Sequence, residues 1–75
     1  MDLHKHAPRQ DPPPPVSELR ASDADREETV RQLQRGLTQG RLTVDEFDER
    51  VPKAYAARTV GELVELTRDL PRSLW

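Results

Sequence analysis

The chain has 75 residues, 35% charged and 33% hydrophobic, with 12 Lys and Arg against 14 Asp and Glu for a formal net charge of -2. So short a chain supports one domain with a thin core, and its lack of cysteine removes disulfides and thiolate metal sites as staples. No run approaches the roughly 20 apolar residues of a membrane span, no signal-peptide core follows the N-terminus, and the slight negative charge gives no global attraction to nucleic acid or anionic lipid.

Residues 1–18 hold five of the seven prolines, four of them consecutive at Pro12 to Pro15, and only Leu3 and Val16 as sizeable apolar residues. Such a segment cannot build a core. It is predicted to be a disordered proline-rich N-terminal tail with local polyproline II at the four prolines, serving either as a flexible leader or as a docking peptide for an aromatic-lined groove. His4 and His6 fall here, where a solvated tail explains them better than a metal site does.

From Leu19 the composition changes to helix formers punctuated by turn signals. Ser22 with Asp25, Thr43 with Glu46 and Thr59 with Glu62 each place a hydroxyl cap three residues ahead of an acidic side chain, the second and third as full capping boxes and the first as a shorter variant. The first helix is predicted from Asp23 to Gln39, with Val30, Leu33 and Leu37 on one stripe and Gly40 as its stop. The second is predicted from Val44 to Ala57, with Val44, Phe47, Val51, Ala54 and Tyr55 inward, Leu42 stapled against Phe47, and Phe47 at the centre of the core. The third is predicted from Val60 to Asp69, burying Val60, Leu63, Val64, Leu66 and Leu70 before Pro71 ends it. Short connections set neighbours side by side. The fold class is therefore all-α: a small three-helix domain over residues 19–71, after a leader over 1–18 and before a short tail over 72–75.

Pro52 is the anomaly. Inside the second helix it lacks an N–H and crowds the carbonyl of Asp48, at a cost on the order of 3 kcal/mol. It is read either as tolerated on a solvent-facing side or as a bend that shapes a partner surface.

The folded part contains no histidine or cysteine, so nucleophile–base pairs have nowhere to form and no enzyme is expected. Asp45, Glu46, Asp48 and Glu49 lie on the first turns of a helix, where negative charge complements the helix dipole, and their spacing is not that of an EF-hand loop. Glu46 is expected to pair with Arg50, and Glu49 with Lys53. No glycine-rich nucleotide loop and no zinc spacing occurs, so no cofactor, metal or small-molecule substrate is expected. Arg31, Arg35 and Arg41 form the one plausible basic stripe. A nucleic-acid reading through it is the alternative, weakened by Glu27 and Glu28 beside it and by the acidic start of the second helix.

The segments Arg20-Ala21-Ser22-Asp23-Ala24-Asp25-Arg26-Glu27, Gly40-Arg41-Leu42-Thr43 through Asp45-Glu46-Phe47-Asp48-Glu49-Arg50, and Ala56-Ala57-Arg58-Thr59 through Glu62-Leu63 to Asp69-Leu70-Pro71 carry a resemblance. Over residues 19–71 the chain resembles the actinobacterial SHOCT-like family called domain of unknown function 1707. The resemblance implies a small cytoplasmic helical module, often at the N-terminus of proteins that continue into a membrane segment or another domain, without attributed catalytic residues. The related SHOCT modules are suspected of oligomerising or recruiting partners. The chain departs from the family at Pro52, where a good helix former is usual.

The function expected is thus a non-catalytic protein–protein interaction or self-association module, regulatory or recruiting, in the cytoplasm and touching a membrane only indirectly, if at all. Candidate partner-binding residues are Arg31, Arg35, Arg41, Asp45, Asp48, Glu49 and Trp75. Trp75, with Leu74, either folds back to cap the thin core or stands exposed as a partner anchor. Intrinsic fluorescence separates the two, because the chain has a single tryptophan. Capping gives a blue-shifted emission that moves red on unfolding, whereas emission near that of free tryptophan in the folded state rejects it.

Overall fold

The computed structural model describes residues 12–71, and Leu74, Trp75 and the histidines lie outside that range. A 3-10 turn at Val16–Glu18 leads into α1 (Asp23–Thr38), α2 (Val44–Ala56) and α3 (Val60–Leu66). Pro15, just ahead of the turn, has the polyproline II angles φ -53° and ψ 150°.

All three helices start as their local chemistry requires. Four N–H groups at a helix start lack helical partners, and a hydroxyl followed by an acid at N3 answers two needs at once. Ser22 Oγ accepts from the Asp25 amide at 3.0 Å while Asp25 accepts from the Ser22 amide at 3.0 Å. Thr43 Oγ1 accepts from Glu46 at 3.1 Å, and Glu46 Oε1 accepts from Thr43 at 2.8 Å. Thr59 Oγ1 accepts from Glu62 at 3.2 Å, and Glu62 Oε2 accepts from the amides of Thr59 at 3.0 Å and Arg58 at 2.6 Å. The aspartate variant at Ser22 therefore closes a complete box.

At the end of α1, Gly40 takes φ 73°. That left-handed turn lets Arg41 N donate to Gly36 O at 2.8 Å and Gly40 N to Leu37 O at 3.0 Å, the paired bonds of a Schellman ending. The chain then enters α2 through Leu42, which is buried in the core beside the partly buried Phe47.

The core consists of Ala21, Val30, Leu33, Leu42, Ala54, Ala57, Leu63 and Leu70, with Phe47, Val51 and Leu66 packed against it. Leu33 is its largest fully buried side chain. Phe47, expected at the centre, is only half-buried, and Val44 and Tyr55, expected inward, are 61% and 58% exposed. Helical geometry supplies the reason. Ala54 is the fully buried position of α2, and at about 100° per residue Val44 and Tyr55 fall about 80° and 100° away from it, together on one flank. Phe47 points inward but sits about two turns along the axis from Ala54, nearer the end of the core.

Helix α3 ends at Leu66 rather than Asp69. The Thr67 amide turns back to Val64 O at 3.1 Å and the Leu70 amide to Thr67 O at 3.0 Å, so residues 67–69 form a turn that carries Leu70 inward. Its landing place is Gly36, where a Cβ would stand 3.1 Å from Leu70 Cδ1 and 3.3 Å from Leu42 Cδ1. The missing side chain is the space Leu70 occupies.

Packing begins before residue 19. Arg20 pairs antiparallel with Thr59; the Val60 amide donates to Leu19 O at 2.8 Å and the Ala21 amide to Arg58 O at 2.9 Å. Ser17 lies against α3 so closely that a Cβ on Gly61 would come within 2.6 Å of its carbonyl oxygen. Because that obstacle is backbone, Gly61→Ala is expected to push the 3-10 turn off α3. Amide exchange at Ala21 and Val60 should then accelerate by about ten-fold, or ~1.4 kcal/mol of opening free energy, while the α1 amides keep their protection. Unchanged exchange at those two positions would show that the turn adds nothing to the pairing.

Candidate functional site

At two places in this domain an arginine of one helix grips the end of another. Arg50, on α2, donates through Nη1 to Leu66 O at 3.0 Å and to Asp69 Oδ1 at 2.8 Å, and through Nη2 to Asp69 Oδ2 at 3.1 Å. The planar fork thus grips a carboxylate and one of the carbonyls that α3 leaves without a helical donor. Arg26, on α1, donates through Nε to Ala57 O at 2.9 Å, at the end of α2, and through Nη1 to Asp23 at 2.8 Å. Each arginine caps the C-terminus of a neighbouring helix. The expected Glu46–Arg50 pair is not made, because the Glu46 carboxylate serves the Thr43 cap and Arg50 reaches across to α3.

Several carboxylates are held below the usual carboxylate range by these contacts. Asp69 is lowered chiefly by the Arg50 hydrogen bonds, Glu62 by the Arg58 and Thr59 amides, Asp25 by the Ser22 amide and hydroxyl, and Glu28 by Arg31. The Asp69 hydrogen bonds raise Arg50 in turn.

The predicted basic stripe is partly offset on α1, where two arginines share one carboxylate. Arg31 and Arg35 both bind Glu28, at 2.9 Å and 3.0 Å, and exposed Arg41 donates to the Gln39 side chain at 3.0 Å. On α2, Asp45, Asp48 and Glu49 are all exposed, and Glu49 forms the expected pair with Lys53 at 3.2 Å. Pro52 is also exposed, within a helix that continues through it. Trp75 lies outside the described residues. Among the described residues, no group of three or more His, Asp or Glu stands so as to hold a metal ion, and no helix is long and apolar enough to cross a membrane.

Three shallow grooves mark the surface. One of about 240 Å³ runs between α1 and α3 along Asp25, Gln32, Val60 and Val64. A second of about 390 Å³ lies between α2 and α3, floored by Ala56, Ala57 and Leu66. The third, about 350 Å³, separates α1 from α2 and is lined by Asp23, Arg26, Glu27 and Tyr55.

Reading the sequence missed Arg26, Arg50 and Asp69 as one set of end clamps. A signal was present: an aspartate just past the end of a helix opposes the dipole unless a cation answers it, and Arg50 was left free once Glu46 was committed to its cap.

Three capped helices, two of them with arginine-clamped ends, and a highly charged exterior define a small all-α module. The chain belongs to the DUF1707 SHOCT-like domain family, whose model matches residues 19–71. Uncharacterized protein Rv0966c of Mycobacterium tuberculosis is 44% identical over 52 residues, which cover 69% of this chain and 26% of that protein. Uncharacterized protein Rv0048c of the same organism is 43% identical over 51 residues, covering 68% of this chain and 18% of its own length. The chain thus spans about a quarter or less of the length of these relatives. No solved structure matches it.

The clamps and caps set an acid limit on stability. Carboxylates whose pKa is depressed in the folded state bind fewer protons there than in the unfolded chain, so their contribution is present above the ordinary carboxylate range and lost as pH falls through the lowered values. Urea midpoints are therefore expected to stay level from neutral pH to about pH 5 and to decline below about pH 4. Asp69→Asn should lower the neutral midpoint and shrink the acid decline. An unchanged midpoint in this variant would show that the Arg50 fork does not hold the fold.

Proposed function

We propose that the domain is a non-catalytic protein–protein interaction module, recruiting or regulatory, that meets another protein through its exposed helix faces. One observation carries the reading: the polar groups that converge, Arg26, Arg50, Asp69 and the three cap pairs, are consumed in holding helix ends. What remains for the outside is helix surface. The share of this domain in Rv0966c and Rv0048c, 26% and 18% of their lengths, supports a portable unit within longer chains. A cytoplasmic setting, including the cytoplasmic face of a membrane, suits a cysteine-free chain of this kind. Nucleic-acid binding through Arg31, Arg35 and Arg41 has less support, since Glu28 binds two of those arginines and offsets one of their charges.

Sedimentation velocity over a concentration series measures self-association, the simplest form of such binding, and a single monomeric species throughout assigns the surface to a foreign protein. A parallel titration with duplex DNA decides against the rival. Little binding is expected at physiological salt. Tight binding that weakens steeply with salt, with a log–log slope of several units, would replace the interaction reading with the nucleic-acid one.

A further inference from the structure

Tyr55 is the largest exposed apolar side chain of the described residues, and it lies in the groove between α1 and α2 with Asp23, Arg26 and Glu27. Arg26 pairs with Asp23 and donates to Ala57 O, which leaves Glu27 as the carboxylate of this groove that no cation answers. Glu27 forms no ion pair among the described residues, and neither does Asp45 or Asp48. At about 100° per residue, Val44, Asp48, Pro52 and Tyr55 lie within about 80° of one another, on one outward stripe of α2 roughly 16 Å long. Pro52 adds a further feature. It is exposed, and its ring adds an apolar patch to that stripe.

We propose that this α1–α2 face docks a basic amphipathic segment of a partner protein. The proposal rests on the interaction-module reading and gives it a surface and a chemistry. A lysine or arginine of the partner lies over the Tyr55 ring, where the π face and the Glu27 carboxylate both favour a cation. A second cation reaches the Asp48 carboxylate, and apolar side chains meet Pro52 between the two cations and Val44 beyond Asp48. Charge complementarity selects a basic partner over a second copy of the chain, because two copies joined through this face would oppose Glu27, Asp45 and Asp48 to the same acids. It also selects against nucleic acid, whose phosphates these carboxylates repel.

The test uses the full 15N-labelled chain titrated with an amphipathic Lys/Leu peptide, with its Glu/Leu counterpart and a leucine-free oligolysine as controls. Amide shifts are expected over residues 23–27 and 44–56 with the Lys/Leu peptide alone. Tyr55→Ala should weaken binding about five-fold or more, while Tyr55→Phe, which keeps the ring, should stay within about two-fold of the parent. The pair Glu27→Gln and Asp48→Asn should weaken it further and reduce its salt dependence. Circular dichroism of each variant confirms the fold. Shifts centred on α3, indifference to Tyr55→Ala, or equal binding of oligolysine would overturn the proposal. Self-association in sedimentation that Tyr55→Ala leaves intact would overturn this surface while leaving the interaction-module reading standing. Self-association that Tyr55→Ala abolishes would make the occupant a second copy and overturn the basic partner.

Discussion

The grip of Arg50 on the end of α3 is the contact on which the rest of the domain depends. Helix α3 has seven residues, a length at which an isolated helix has no stability of its own in water. Its start is closed by the Thr59–Glu62 box, and its end by the guanidinium that takes Leu66 O and both oxygens of Asp69. Because that grip holds the chain in a turn just past Leu66, Leu70 points back into the space that Gly36 leaves open. One side chain of α2 thus fixes where α3 stops, and through Leu70 how α3 closes on α1. In a core whose largest fully buried side chain is a leucine, little apolar area is available to do the same work.

How much of this was legible in the sequence follows from the reach of each interaction. A capping box acts between residues three apart, and a glycine turn acts on its own backbone, so Ser22, Thr43, Thr59 and Gly40 announced helix ends that the structure places within one residue, except at α3. There the end is set from outside, by Arg50 across 19 positions, and local pattern carried α3 on to Asp69. Arg26 and Ala57 are 31 positions apart, and no periodicity links them. The burial stripe of α1 was readable because Val30 and Leu33 face both partners. On α2 the same periodicity could not choose among Val44, Val51, Ala54 and Tyr55, since the arc that is covered depends on where α1 and α3 approach. The smallest of the four, Ala54, took the centre because close helix approach favours small side chains.

The candidate surface was legible only in part. Asp45, Asp48 and Glu49 were placed on an exposed start of α2, and they are exposed. Tyr55 was assigned to the core. Its exposure became visible only once Ala54 was seen to mark the buried side of α2, and its acidic surroundings only once α1 brought Asp23 and Glu27 alongside. Arg31 and Arg35 read as a basic stripe in one dimension, yet Glu28 binds both. A linear charge pattern shows which charges are present; the fold decides which of them are already answered.

Pro52 shows how such a domain can carry a local defect. A proline in a helix interior costs on the order of 3 kcal/mol because it breaks one bond and crowds the preceding turn. Only Lys53 to Ala56 follow it in α2, a single turn that propensity alone would not maintain. Tertiary contacts hold it instead. Ala54 is fully buried, Ala57 is buried just beyond, and Arg26 donates to Ala57 O at 2.9 Å. The turn after the proline is thereby pinned to α1, while the proline itself faces outward. The cost of Pro52 falls on the face away from the core, and the Arg26 clamp keeps it from spreading to the rest of the helix.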